Sequence, residues 1–272
     1  VTPLVLKLGG ELIESPRDRQ AMGAAIARLS AGRPMVVVHG GGKAIDVELD
    51  RRGIAPKKID GLRVTDAETL ETVVSVLAGS ANTALVAACV AAGVPAVGLT
   101  GVDAGLGPST RTSAHRTAAG DVADLGLVGD PAEVKADLLN ALLSRRFVPV
   151  IASIGFDAAA GAQLLNVNAD VMACRIAAAL PGCDLVIAGT TAGVFDTAGR
   201  TIAALDEDAI EQAITSGTAT AGMIAKLSAC RQALAGGVSS VRIIDGRALG
   251  AGAGVADAPG TSLVLAAGIH QR

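Results

Sequence analysis

Apolar positions along the chain fall in short runs, each closed by glycine or by charge. Residues 4–8 read Leu-Val-Leu-Lys-Leu and run into Gly9-Gly10, and residues 34–38 read Pro-Met-Val-Val-Val and run through His39 into Gly40-Gly41-Gly42. Near-continuous runs of this length are what strands buried on both faces require. Residues 15–31 between them are spaced as a helix, with Ser15 as N-cap and Pro16 at the first helical position. Residues 43–52 predict the next helix, closed by Gly53. Further strands are expected at 95–99, 147–152, 184–188 and 238–244, with an edge strand at 262–265. Helices are expected from 65 or 66 to 79, over 82–92 and 131–144, from the 166–170 segment to 180, and over 205–216 and 223–235. Residues 106–129 read as loop and hairpin, and 155–165 as a hairpin turning near Ala160-Gly161. Strands alternating with helices predict an α/β fold, a three-layer αβα sandwich around a largely parallel central sheet.

In such a sheet both early glycine turns lie at the carboxyl edge, where ligands bind. Glycines let a turn aim several N–H groups outward, and a following helix adds its positive end, which suits an anion. The same glycines also serve a sharp, closely packed turn. Two standard nucleotide motifs fail here. Lys43 is followed by Ala44 with no glycine at the spacing a P-loop needs, and Ile45 stands where the dinucleotide fingerprint needs its last glycine.

Composition narrows the classes. The net charge of −3, with no Trp or Tyr and three Phe, argues against nucleic acid as a partner. The four cysteines (Cys89, Cys174, Cys183, Cys230) are scattered without a C-x-x-C pair, and with three His they form no zinc pattern. They read as buried thiols in a reducing compartment. No uninterrupted apolar run of spanning length and no signal segment stands out, so a soluble, cytoplasmic protein without membrane contact is expected.

Five separated pieces occur in order: Lys7-Leu8-Gly9-Gly10, His39-Gly40-Gly41-Gly42, Gly61-Leu62-Arg63-Val64-Thr65, Asn166-Val167-Asn168-Ala169-Asp170 and Gly222-Met223-Ile224-Ala225-Lys226. Together they closely resemble the N-acetylglutamate kinases of the amino-acid kinase family, over nearly the whole chain. The resemblance implies ATP-dependent phosphorylation of the side-chain carboxylate of N-acetyl-L-glutamate, with Mg2+ arriving on the ATP phosphates. A carboxylate is already ionised at neutral pH, so this transfer needs positioning and positive charge rather than a base.

By the same resemblance, Lys7 and Lys226 stabilise the moving phosphoryl group and Asp170 orients both. Gly41, Gly42, Arg63, Asn166 and Asn168 hold the amino-acid substrate, although Asn168 is also placed to cap a helix. Gly9, Gly10, Thr190, Gly193, Thr220, Gly222 and Met223 bind ATP. His39 has no proton to move in this chemistry and reads as structural. One domain spans residues 1–272, with a substrate lobe and dimer contacts at 1–165 and a nucleotide lobe at 166–272. Thr190 and Ala221 depart from the family's usual acid and its usual Asp or Gly. Residues 106–120, with Arg111, His115 and Arg116, also depart from its pattern, leaving room for a related N-acylated or carrier-linked substrate, or for a non-catalytic homologue. Arginine-inhibited members carry an N-terminal helix that joins dimers into hexamers. This chain begins three residues before its first strand, so a homodimer insensitive to arginine is expected.

Overall fold

A computed structural model describes residues 2–112, 114–117, 120–215 and 221–264. The central sheet has eight strands: β1 (Leu4–Leu8), β2 (Met35–His39), β3 (Ala96–Thr100), β4 (Val148–Ala152), β5 (Asp184–Gly189), β6 (Ala204–Leu205), β7 (Ser240–Asp245) and β8 (Gly260–Leu263). Their order across the sheet is β6-β8-β7-β5-β1-β2-β4-β3. β8 runs antiparallel to β7 and carries β6 parallel to itself; the remaining pairs are parallel. The expected terminal edge strand is therefore not at the edge, because β6 pairs outside it.

Period-two alternation sorts the strand residues onto two faces. Leu4, Leu6, Leu8, Met35, Val37 and Val150 face α1 (Pro16–Gly32), with Met22 and Ile26 of that helix among the residues they meet. Val5, Val36, Val38, Leu185 and Ile187 face the opposite way. There they meet Met172, Ala173 and Ile176 of one helix (Ala169–Ala178) and Leu227 and Cys230 of another (Ala221–Ala235). Helices on both faces complete the three-layer sandwich. Lys7 continues the row of Val5, so it emerges on the second face.

With α1, the helices are α2 (Gly42–Arg51), α3 (Ala67–Ala91), α4 (Asp137–Ser144), α5 (Ala169–Ala178), α6 (Glu207–Thr215), α7 (Ala221–Ala235) and α8 (Gly246–Gly250). α1 begins with a capping box: Ser15 Oγ accepts from the Asp18 N–H at 3.1 Å while the Asp18 carboxylate accepts from the Ser15 N–H at 3.3 Å. Asp66 caps α3 through the Thr69 N–H at 2.8 Å.

Two helix expectations need correction. The two helices expected on either side of residues 80–81 are one, because Ser75–Ala81 continues as a wider π turn between the two α segments. By length and composition α3 is apolar enough to cross a membrane, although Glu68, Glu71, Ser75, Ser80, Asn82 and Thr83 interrupt its apolar run. Its Val73 and Leu77 lie in an apolar cluster with Ile45 and Leu49 of α2, and its Leu85 and Cys89 lie in the α1-side core. The helix expected over 131–144 is only α4, since Val128–Pro131 forms a strand. That strand lies between Ser109–Arg111 and Gln163–Val167 in a second sheet completed by Ile154–Asp157.

Replacing Ser15 by Ala removes the reciprocal cap. The expected cost is about 1 kcal/mol, read as a thermal midpoint lower by roughly 2 °C.

Candidate active site

The strand order reverses at β1: its connection through α1 leads to β2, while the chain leaving β5 goes the other way, first to β6 at the far edge and then back to β7. Ligand crevices in α/β sheets open beyond the carboxyl ends at such a point. There the Lys7 Nζ lies 2.7 Å from Asp170 Oδ1, and the Lys226 Nζ donates to Asp170 Oδ2 at 2.6 Å. The three side chains come from β1, α5 and α7. Asn168 sets the first turn of α5 by accepting from the N–H groups of Asp170 and Val171 at 2.8 and 3.3 Å, which aims the Asp170 side chain at both lysines. Burial by itself would push the Asp170 carboxyl up. The Lys7 and Lys226 charges overcome it and hold the group well below the ordinary carboxylate range. Burial would likewise lower the Lys226 ammonium, but the Asp170 charge outweighs it and the pKa is raised.

A cavity of about 260 Å³ opens beside this bridge, and its lining includes Lys7, Gly9, Gly10, Gly41, Gly42, Arg63, Asn166, Asn168 and Asp170. The two glycine turns are pressed together: a Cβ on Gly10 would lie 2.8 Å from Gly41 Cα and 3.1 Å from Gly41 N. Gly9 does not offer its N–H as expected, because that group donates to the Ala188 carbonyl at 2.8 Å. Gly10, Gly41 and Gly42 have no backbone acceptor for theirs among the described residues, and Gly41 is the N-cap of α2. These N–H groups and the two lysines form a donor set that fits phosphate or carboxylate oxygens.

At the other side of the cavity, Arg63 is nearly buried. Its Nη2 donates to the Gly42 carbonyl at 3.0 Å and lies 2.5 Å from Asp46 Oδ1. The Asn166 amide donates to Thr65 Oγ1 at 3.0 Å, and that hydroxyl donates to the Arg63 carbonyl at 3.2 Å. Asn168 lines the cavity but spends its oxygen on the cap, so its capping reading accounts for it.

Of the described residues expected to hold nucleotide, Gly9 and Gly10 line this cavity, and Thr190, Gly193, Gly222 and Met223 are not among its lining residues. Thr190 is exposed beyond β5, and Gly222 opens α7. Met223 packs on the α5–α7 core, and Thr220 lies outside the described residues. Gly193, at φ +98°, is buried where a Cβ would sit 2.7 Å from the Thr261 nitrogen, so packing against β8 accounts for this glycine. Sequence reasoning missed Lys58, Leu77 and Ser153, all cavity-lining. Ser153 directly follows a parallel strand, a position that signals the ligand edge. Leu77 lies in the π turn of α3, which no local pattern announced.

His39 is fully buried, with Nδ1 3.0 Å from the Gly40 carbonyl and Nε2 3.0 Å from the Asn82 amide nitrogen. Burial lowers its pKa against the raising effect of Gly40, so it is a neutral structural ring. All four cysteines are free and buried, with burial pushing Cys89 up to about 11 and Cys183 up to about 12.

The chain belongs to the amino acid kinase family, whose model matches residues 2–245. It is 40% identical over 248 residues to an acetylglutamate kinase of Symbiobacterium thermophilum, covering 90% of this chain and 84% of that one. An acetylglutamate kinase of Brachyspira hyodysenteriae is 39% identical over 248 residues, covering 90% and 83%. The N-acetylglutamate synthase of Neisseria gonorrhoeae, solved with coenzyme A and N-acetyl-glutamate, superposes with a TM-score of 0.80 at 23% identity, a likeness of fold. The match covers 97% of this chain and 59% of that longer one.

The His39 environment predicts a pH effect on stability. The imidazole is neutral when folded, while in the unfolded chain it titrates near ~6.5. Below that value the unfolded state binds the extra proton, so stability falls with acidification until the lowered folded pKa is reached; above it this contribution is flat. Urea midpoints are expected to decline from pH 7 to pH 5 in the wild type and to decline less steeply in His39→Gln.

Proposed function

We propose that the chain is an ATP-dependent kinase that phosphorylates the side-chain carboxylate of N-acetyl-L-glutamate, giving N-acetyl-L-glutamyl 5-phosphate in arginine biosynthesis. The observation that carries this reading is the Lys7–Asp170–Lys226 bridge beside a cavity whose other side holds Arg63. The names of the two curated relatives supply the substrate.

The reading assigns work to each group. Arg63 takes the substrate's α-carboxylate, for which a guanidinium fork is suited. Asn166 takes the acylated nitrogen: with its amide nitrogen spent on Thr65, its oxygen is left to accept an N–H. The side-chain carboxylate then lies toward Gly41 and Gly42. Lys7 and Lys226 reduce the repulsion between this carboxylate and the γ-phosphate and stabilise charge on the moving group. Asp170 offsets the repulsion between the two ammonium groups and holds both aimed at the site. Thr190, Gly222 and Met223, in the lobe after residue 165, border the nucleotide, with Gly10 of the first lobe reaching its phosphates. Asp170 is engaged by two lysines, so the donors facing the phosphates are cationic or N–H. Mg2+ therefore rides on the ATP oxygens, as its preference for phosphate and water favours.

A homodimer goes with this reading. β3 is an edge strand whose residues are mostly half-buried, and Val90 of the adjacent α3 is 55% exposed. An open apolar edge is stabilised by a second copy. Four buried free thiols fit a cytoplasmic enzyme.

ADP release is expected with N-acetyl-L-glutamate and MgATP. No turnover on it, with turnover on another acylated or carrier-linked acidic amino acid, moves the substrate within the family; no turnover on any returns the chain to a non-catalytic role. Lys226→Ala is expected to lower kcat by about 10²-fold or more, as loss of a transition-state donor does, and full kcat in that variant refutes its role. Sedimentation is expected to give a mass of two chains.

A further inference from the structure

Asp46 lies on α2, four residues after Gly42, and the transfer described above gives it no part. It is nevertheless the anchor of the two cations on the Arg63 side of the cavity. Its Oδ1 is 2.5 Å from Arg63 Nη2 and its Oδ2 is 2.7 Å from the Lys58 Nζ. Burial would raise its carboxyl, but Lys58 and Arg63 together lower it, so it stays ionised. Arg63 has a side chain only 7% exposed, with Nη2 shared between Asp46 and the Gly42 carbonyl. Its Nη1 is buried and has no partner among the described residues. A buried, unpaired guanidinium nitrogen is costly unless a ligand meets it.

We propose that Asp46 is a positioning residue for the amino-acid substrate. By fixing Nη2 it holds the guanidinium in the one orientation that leaves Nη1 for an incoming carboxylate. The proposal rests on the reading of Arg63 as the α-carboxylate partner. Charge and position pull in opposite directions here. Asp46 is an anion near a site for an anion, so by charge alone its removal strengthens substrate binding. By position its removal frees Arg63 and weakens binding. The sign of the change separates the two.

The test is Asp46→Asn, assayed by ADP release with each substrate varied in turn. The KM for N-acetyl-L-glutamate is expected to rise about tenfold or more, with kcat and the KM for MgATP moving far less, while Asp46→Glu, which keeps the charge, recovers part of the loss. A KM for the amino acid that is unchanged or lower overturns the proposal. So does an equal rise for both substrates, which marks a general structural fault. Should Asp46→Asn fail to fold, Asp46→Glu alone decides: a rise in the amino-acid KM of about threefold with kcat held supports the proposal, and an unchanged KM overturns it. If the wild type proves inert, calorimetric binding of N-acetyl-L-glutamate to the wild type and to the variants replaces KM. Weaker or lost binding by the Asn variant, where the wild type binds, then supports Asp46 even though the kinase reading has failed; binding by the variant as tight as the wild type's, or no binding by the wild type, overturns it.

Discussion

The structure depends on one carboxylate shared between two ammonium groups. Asp170 is almost out of water, and without Lys7 and Lys226 its charge could not persist there. The bridge therefore fixes three elements at once: the end of β1, the first turn of α5 and the second turn of α7. Removing one member of such a group commonly costs about 3–5 kcal/mol, because the partner charge is left buried and unpaired. The cluster carries two positive charges against one negative, so a net positive charge faces the cavity. The same contact that stabilises the fold prepares the site for anions.

Backbone approach is the second constraint. β1 and β2 are neighbours in the sheet, and each ends in glycine at the same edge, so their turns meet face to face at Gly10 and Gly41. A side chain on Gly10 would part them and fill the space where their N–H groups converge. The remaining polar groups reach the cavity from another layer. Asn166 stands on the second sheet and is tied through Thr65 to Arg63, so these polar groups at the cavity form one connected network.

Membership of the amino acid kinase family adds the reason for this division. Binding groups on one side and a paired-lysine bridge on the other suit a transfer between two anions, in which charge and alignment do the catalysis and no proton needs to be taken. His39, beside the glycine turn, is spent on Asn82 and Gly40 instead, linking β2 to α3. Arg63 and Asp46 show the same logic on the other side of the cavity, where one carboxylate orders two cations.

By itself the sequence determined the features that local rules govern. Ser15 and Asp66 cap helices because their oxygens reach N–H groups three residues ahead, and the strands expected at 4–8 and 34–38, observed at 4–8 and 35–39, follow from near-continuous apolar runs ended by glycine. The lysines, Asp170 and the glycine turns were legible through a resemblance spread over the whole chain. Tertiary structure decided what depends on distant partners. Residues 128–131 became a strand because Ser109–Arg111 and Gln163–Val167 flank them, and β6 took the sheet edge from β8. The Gly9 N–H went to Ala188, and Gly193 proved to be a packing glycine against Thr261. Asp46, Lys58, Leu77 and Ser153 entered the site unannounced, for a physical reason. A helix or turn is set by neighbours a few residues away, whereas a buried charge or a spare N–H is assigned by whichever remote group the sheet brings within 3 Å.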